Sequence, residues 1–311
     1  MTNYGGMTIK YMNILGTGLS GMVGSRITEL LQERHTLQDI SLDTGIDIRD
    51  RDKVLAAVKK SDASWVFHFA ALADVDKCES DFRLQTSDFR QINWEEYKKQ
   101  SASFAVNVLG TKNIVDAAKK FGKRLLYIST DFVFEGIKKT SYTEEDTPNP
   151  VNQYGYTKYL GEQIVQDSLQ DGLIVRITYP YGARHPVRKD FVQRIQERLQ
   201  AGASVDGVTD IIFTPTFIDD IADAMEMLIQ KNAAGIYHVV GSESLSPYDA
   251  AVAIAARFGY DNGFIRKSTM EKYYRGCAPR PQYLRTSNEK IRELGVQMKG
   301  FREGLEKISN F

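Results

Sequence analysis

A short apolar run, Met12 to Leu15, enters the glycine-rich stretch GTGLSGMVG and leaves it as a helical pattern over Gly24 to Gln32. This strand–turn–helix opening constrains the fold more than any other feature. A strand followed at once by a helix pairs next with a parallel neighbour, because only a crossover brings the chain back to the same end of a sheet. The first half of the chain repeats that rhythm. Asp39 to Asp43 (DISLD) reads as a second short strand, Asp50 to Lys60 as a helix and Trp65 to Phe69 as a strand. Ala102 to Phe121 reads as a long helix, Arg124 to Ser129 as a strand, Tyr154 to Leu169 as a helix and Leu173 to Ile177 as a strand. The expectation is an α/β fold, a doubly wound parallel sheet of the Rossmann type.

After about Pro180 the alternation loosens. Phe191 to Gln200, Ile221 to Gln230 and Pro247 to Phe258 read as helices, Gly235 to Val240 as a returning strand, and the tail as APRP followed by a charged helix. A nucleotide-binding domain over residues 1–180, joined by the returning strand near 235–240, is expected. Residues 181–311 would mostly form a smaller C-terminal lobe for substrate, over the carboxyl ends of the strands.

Lys plus Arg and Asp plus Glu both number 40 in the 311 residues, so the net charge is zero. That removes the usual reason to expect nucleic acid or an anionic membrane as a partner. The longest apolar runs are too short to span a bilayer. The first residues lack a basic stretch followed by an apolar core, and the two cysteines, Cys78 and Cys277, match no metal spacing. A cytoplasmic protein without a metal is expected. The oligomeric state is open, with a homodimer as one expectation.

Within the glycine turn, Gly16, Gly18 and Gly21 satisfy G-x-G-x-x-G, but Gly18, Gly21 and Gly24 form the preferred pattern. Glycine lets the backbone turn tightly and approach a pyrophosphate at a helix N-terminus, where free N–H groups attract anions. Asp43, taken as the end of the second strand, would hold the adenosine ribose hydroxyls and repel a 2′-phosphate. Asp47 and Ile48 would flank the adenine, with Arg49 and Arg51 nearby. The cofactor is therefore NADPH or NADH, with the choice open.

Tyr154 and Lys158 stand four residues apart in QYGYTKYLGE, on one face of a helix. By itself that spacing is common on helix surfaces. After a glycine turn and a Ser-Thr strand end, it points to a phenol used as an acid, with the ammonium and a cofactor's positive charge favouring its ionised form. His68, in an apolar strand, reads as a satisfied core residue, and His185 as part of a basic solvated loop. No Ser-His-Asp order stands out.

With these residues in view, the chain resembles the extended short-chain dehydrogenase/reductase superfamily, and within it most resembles the dTDP-4-dehydrorhamnose reductase family. The likeness runs through several motifs in order: TGLSGMVG, FAALADVDKCE, AVNVLGTKNIVDAAK, STDFVFEG, TPNPVNQYGYTKYLGE, FTPTFIDDIADAM and APRPQYLRTSNEKIRELG. It implies reduction of a nucleotide-linked 4-keto-6-deoxy sugar, the substrate partner. Tyr154 would protonate the ketone oxygen as the nicotinamide delivers hydride, Lys158 would bind the nicotinamide ribose and lower the phenol's pKa, and Thr130 would hydrogen-bond the same oxygen. The resemblance also implies substrate contacts for Asp131 and Tyr179. It implies pyrophosphate contacts for Gly18, Gly21, Met22 and Val23, and cofactor contacts for Ala70, Ala71 and Leu72. Asn107 would order the site from the long helix.

Three departures stand out. Phe132 replaces the tyrosine of the family's S-T-D-Y, Tyr179 replaces a tryptophan, and about 20 residues near Phe82 to Ser101 are inserted. Two other functions compete: an NAD-dependent nucleotide-sugar epimerase or dehydratase, and a non-catalytic NAD(P)-binding regulatory subunit like the relatives that regulate methionine adenosyltransferase. Asp131 followed by Phe132, without a glutamate, favours plain reduction.

Overall fold

The computed structural model describes residues 3–4, 7–81 and 101–308. The segment read as an insertion falls on residues 82–100 and lies outside the described residues. The centre is a six-stranded parallel sheet built from β1 (Asn13–Thr17), β2 (Thr36–Asp39), β3 (Trp65–His68), β4 (Arg124–Thr130), β5 (Leu173–Ile177) and a late strand, Gly235–His238, numbered β9 below. Their order across the sheet is β9-β5-β4-β3-β1-β2. The chain leaves β1 for β2 on one side and returns to β3 on the other, so the topological switch point lies between β1 and β3. In sheets of this kind ligands bind there, beyond the carboxyl ends of the strands.

Period-two alternation sorts the strand residues onto two faces. Ile14, Phe67, Leu126 and Val175 pack with α1 (Met22–Leu31) and with Ile218–Gln230, numbered α7 below. Their neighbours Leu15, Val66, Leu125 and Ile174 pack with α2 (Arg51–Lys60), α4 (Thr111–Lys120) and α5 (Gln153–Ser168). Both faces are covered, which explains why the central strands read as continuous apolar runs. The short helix α3 (Val75–Ser80) follows β3, and α4 is preceded without a break by Ala102–Phe104 and a π-helical stretch, Ala105–Gly110.

Further short strands and helices lie outside the central sheet and its covering helices. They include β6 (Pro180–Tyr181), α6 (Phe191–Gln200), β7 (Val205–Val208), β8 (Thr216–Phe217), α8 (Pro247–Phe258) and β10 (Ile265–Ser268). β6 pairs with β8 and β7 with β10, both in parallel. The APRP segment is tied to α3 and to the start of α5. Arg280 meets the Asp76 carboxylate at 2.8 Å, Ala278 N–H donates to the same carboxylate at 2.9 Å, and Asn152 Nδ2 donates to the Pro279 carbonyl at 2.9 Å.

The second strand differs from its sequence reading. It spans Thr36–Asp39, and Leu42–Thr44 is a 3-10 turn closed by left-handed Gly45. Ile40 and Leu42 made DISLD look like a strand. Yet the N–H groups of Thr44 and Ile46 turn back to the Ser41 carbonyl, and Leu42 is 73% exposed. Among the described residues no helix is long and apolar enough to cross a membrane.

Candidate active site

The glycine turn follows β1 directly. Gly18 has φ +68°, and a Cβ there would lie 2.7 Å from Ala70 N, so only glycine fits between the turn and the end of β3. Gly24 lets α1 close onto the turn, since a Cβ there would sit 2.3 Å from the Gly18 carbonyl oxygen. Gly21 caps α1 without a side-chain hydrogen bond. The first N–H groups of a helix have no intrahelical partner, so those of Met22 and Val23 are offered to an anion. Ala70, first of the Ala70–Leu72 stretch, lies against the turn. Ala70 N–H donates to Thr17 Oγ1 at 3.2 Å, and Leu72 is 41% exposed.

Asn107 is buried on the π-helical stretch and makes three side-chain hydrogen bonds. Its Oδ1 accepts from Leu72 N–H at 2.8 Å, and its Nδ2 donates to the Leu72 carbonyl at 3.0 Å and to Thr157 Oγ1 at 2.9 Å. One buried amide on the π-helical turn thus fixes the loop after β3 to α5. π-turns inside helices recur where a side chain must be aimed at a site.

The acid at the end of the second strand is Asp39, because β2 stops there; Asp43 sits exposed in the following turn. Asp39 lies opposite Gly16 in the sheet, its Oδ2 accepts from Ser41 Oγ at 2.5 Å, and its Oδ1 is buried without a partner among the described residues. Asp47 is engaged by Arg49, whose hydrogen bonds hold its carboxyl below the usual range, and Ile48 is buried against Gly110.

At the end of β4, Thr130 and Asp131 are both buried. Thr130 Oγ1 donates to Asp131 Oδ1 at 3.1 Å and accepts from Phe132 N–H at 3.2 Å. Burial pushes the Asp131 carboxyl up to about 7, against the hydrogen bond from Thr130. Its Oδ2 is buried without a partner among the described residues.

Helix α5 delivers Tyr154 to this strand end. Asn152 caps the helix, and Gly155 lets it press on the strand turn, since a Cβ there would lie 2.2 Å from the Phe132 carbonyl oxygen. The Tyr154 ring meets Phe132 edge-on at 5.9 Å. Burial lifts its phenol well above the ordinary value. A hydrogen bond with Thr130 opposes the rise, and the charges of Asp131 and Cys78 add to it. The lowering expected from Lys158 is therefore not what the chain's own groups produce. The Lys158 ammonium lies over the Tyr127 ring, 4.0 Å from its centroid, and burial brings it down to about 7, with Glu162 opposing.

Tyr179 follows β5 with φ +37° and packs edge-on against Phe213 at 4.8 Å. It stands at the wall of a cavity of about 620 Å³, which Phe191, Arg194, Arg198, Phe213 and Tyr274 also line. The arginines are one helical turn apart on α6, a pairing carried by the i, i+4 spacing of FVQRIQER. The basic loop read as solvated touches the glycine turn through His185, whose Nε2 hydrogen-bonds the Ser20 carbonyl at 3.1 Å. His68 is satisfied on both ring nitrogens, by Thr17 and Thr111. Among the described residues no group of His, Cys, Asp and Glu is placed to hold a metal.

A family model described as the RmlD substrate binding domain matches residues 12–310. The chain is similar to dTDP-4-dehydrorhamnose reductase of Mycolicibacterium smegmatis, 28% identical over 304 residues, covering 96% of this chain and 86% of that protein. It is similar to methionine adenosyltransferase 2 subunit beta of Mus musculus, 27% identical over 311 residues, covering 96% and 88%. A solved dTDP-4-dehydrorhamnose reductase from Bacillus anthracis, in complex with NADP, matches with a TM-score of 0.83 at 27% identity, covering 96% of this chain and 99% of that one.

Proposed function

The chain belongs to the family of the RmlD substrate binding domain, and we propose that it is an NAD(P)H-dependent reductase of a nucleotide-linked 4-keto-6-deoxy sugar. The observation that carries this reading is the meeting of Thr130 and Tyr154, with Lys158 one helical turn on, at the carboxyl end of β4 beside the glycine turn. The names of the Mycolicibacterium and Bacillus relatives support the substrate class.

The residues present fit a dinucleotide. The uncapped start of α1, with Gly18, Gly21, Met22 and Val23, would hold the pyrophosphate. The unpartnered Oδ1 of Asp39 would take an adenosine ribose hydroxyl, Ile48 would flank the adenine, and Ala70 to Leu72 would line the nicotinamide half. When bound, the reduced nicotinamide supplies the hydride. Lys158 would hold its ribose.

Tyr154 keeps its proton at neutral pH, because burial raises the phenol, and so it is present as the acid that a newly formed alkoxide needs. Thr130 has one hydroxyl proton. Ionised Asp131 takes that proton as a hydrogen bond; protonated Asp131 frees it for the substrate oxygen. Arg194 and Arg198 would meet the nucleotide's phosphates and Tyr274 its base, while Tyr179, on the same cavity wall, would stand between them and the sugar. Residues 1–180 with the strand near 235–240 would then hold the dinucleotide, and residues 181–311 mostly the substrate. Unpaired Cys78 and Cys277 support a cytoplasmic setting.

The test is oxidation of NADPH or NADH by the purified protein with a panel of nucleotide-4-keto sugars, followed by loss of the reduced nicotinamide's absorbance. A second reading, a non-catalytic NAD(P)-binding subunit, draws its support from the mouse relative. It predicts cofactor binding without turnover on every sugar.

A further inference from the structure

Resting on the reading of Lys158 as the residue that holds the nicotinamide ribose, we propose that Tyr127 is a positioning residue whose ring seats the Lys158 ammonium and keeps it charged. Lys158 is only 3% exposed. A buried ammonium loses its hydration and must be compensated or give up its proton. Among the described residues, the groups facing it are few. Glu162, one turn further along α5, is bound on both oxygens by Arg176, at 2.8 and 2.7 Å. His68 from β3 stays neutral, since burial and the Lys158 charge bring it down to about 3. Asn107 and Thr111 reach α5's side of the site from the long helix and bring no charge. Tyr154 keeps its proton. That leaves the Tyr127 ring, with the ammonium 4.0 Å from its centroid, well inside cation–π range and out of water, where such contacts are strongest.

The tyrosine is built into this place from three sides. Its hydroxyl donates to the Lys158 carbonyl at 3.3 Å, so one side chain contacts both the backbone and the charge of the same lysine. Gly161 leaves room for it, since a Cβ there would lie 2.2 Å from the Tyr127 hydroxyl oxygen. The His68 ring packs beside it at 5.6 Å. Because Lys158 titrates close to neutrality, a tenfold change in its protonation equilibrium would take the charged fraction at neutral pH from about one half to about one tenth. Small changes beneath the ammonium are therefore amplified at working pH.

The test is the dissociation constant of NADPH, by fluorescence titration across the neutral range, for wild type, Tyr127→Leu, Tyr127→Phe, Lys158→Met and the double variant Tyr127→Leu/Lys158→Met. Wild-type binding should weaken as pH rises through the lysine's titration. In Tyr127→Leu the midpoint should move about one unit lower, the size expected for a lost desolvated cation–π contact. Tyr127→Phe keeps the ring and should retain the wild-type midpoint. Lys158→Met should show no such titration, and adding Tyr127→Leu to it should change nothing further. Should Tyr127→Leu fail to fold, Tyr127→His, which keeps a flat ring with a poorer π face, should shift in the same direction. A wild-type midpoint in Tyr127→Leu overturns the proposal, as does equal weakening by Tyr127→Leu with and without Lys158. Failure of the wild type itself to bind NADPH would instead overturn the cofactor reading on which it rests.

Discussion

Replacing Asp39 with alanine should weaken NADH binding by roughly 10- to 100-fold, while Asp43→Ala should change it less than about twofold. The difference follows from where β2 ends. Asp39 faces Gly16 in the sheet and so stands beside the glycine turn, with one oxygen engaged by Ser41 and the other buried and open. A ribose hydroxyl donating to that oxygen makes a hydrogen bond to a charged group, worth about 1.5–3 kcal/mol, and about 1.4 kcal/mol is a factor of ten in affinity. Asp43 is exposed on the 3-10 turn, where any contact competes with water. The same carboxylate repels a 2′-phosphate, so Asp39→Ala should hold or improve NADPH binding and lower the NADH-to-NADPH affinity ratio. Fluorescence titration of both cofactors at one ionic strength measures this, with urea melts checking that loss of the Ser41 bond leaves the fold intact. Asp39→Ala binding NADH within twofold of wild type, with Asp43→Ala carrying the loss, would refute the assignment.

Gly18→Ala should cost about 2–5 kcal/mol of stability, since left-handed backbone costs a side chain about 1–2 kcal/mol and a Cβ at 2.7 Å from Ala70 N forces a further shift; a denaturant midpoint matching wild type would contradict this. Stability should fall by about 1–2 kcal/mol between about pH 6.5 and pH 5. Burial holds His68 and His238 down to about 3, so unfolding takes up two protons in that window, while Asp131, raised to about 7, gives one back on unfolding. A net uptake of about one proton is worth about 1.4 kcal/mol per pH unit, and urea melts that coincide at the two pH values would sink the argument. Asp131→Asn should remove a kcat ionisation near neutrality, because the amide cannot switch the Thr130 hydroxyl by losing a proton; a pH profile identical to wild type would place that ionisation elsewhere.

The βα rhythm and the Tyr154–Lys158 spacing were legible because each is local. Apolar runs of alternating facing give Ile14 and Leu15, or Phe67 and Val66, to opposite layers, and helical periodicity puts the tyrosine and lysine on one face. Asn107 was legible as an amide in a helix, but its hold on Leu72 is a tertiary contact across two elements. The end of the second strand was less legible, because Ile40 and Leu42 carry the apolar pattern past it. The Asp-Thr-Gly that follows Leu42 signalled a turn, and left-handed Gly45 closes it. The electrostatics were least legible. Spacing alone suggested that Lys158 would ionise Tyr154, whereas the ammonium is drawn to a ring supplied by β4 and burial dominates both groups. Arg194 and Arg198 were readable in the sequence as a pair, but only the packed lobe turns them toward a cavity.

The most direct test of the central claim is single-turnover hydride transfer by wild type and Tyr154→Phe, with a reduced nicotinamide cofactor and a nucleotide-4-keto-6-deoxy sugar. The variant keeps the ring against Phe132 and loses the hydroxyl, with its proton and its hydrogen bond to Thr130. Its rate should fall by roughly 10²–10⁴, the usual worth of general acid catalysis, with cofactor binding nearly unchanged. A Tyr154→Phe protein that transfers hydride at the wild-type rate would contradict the account.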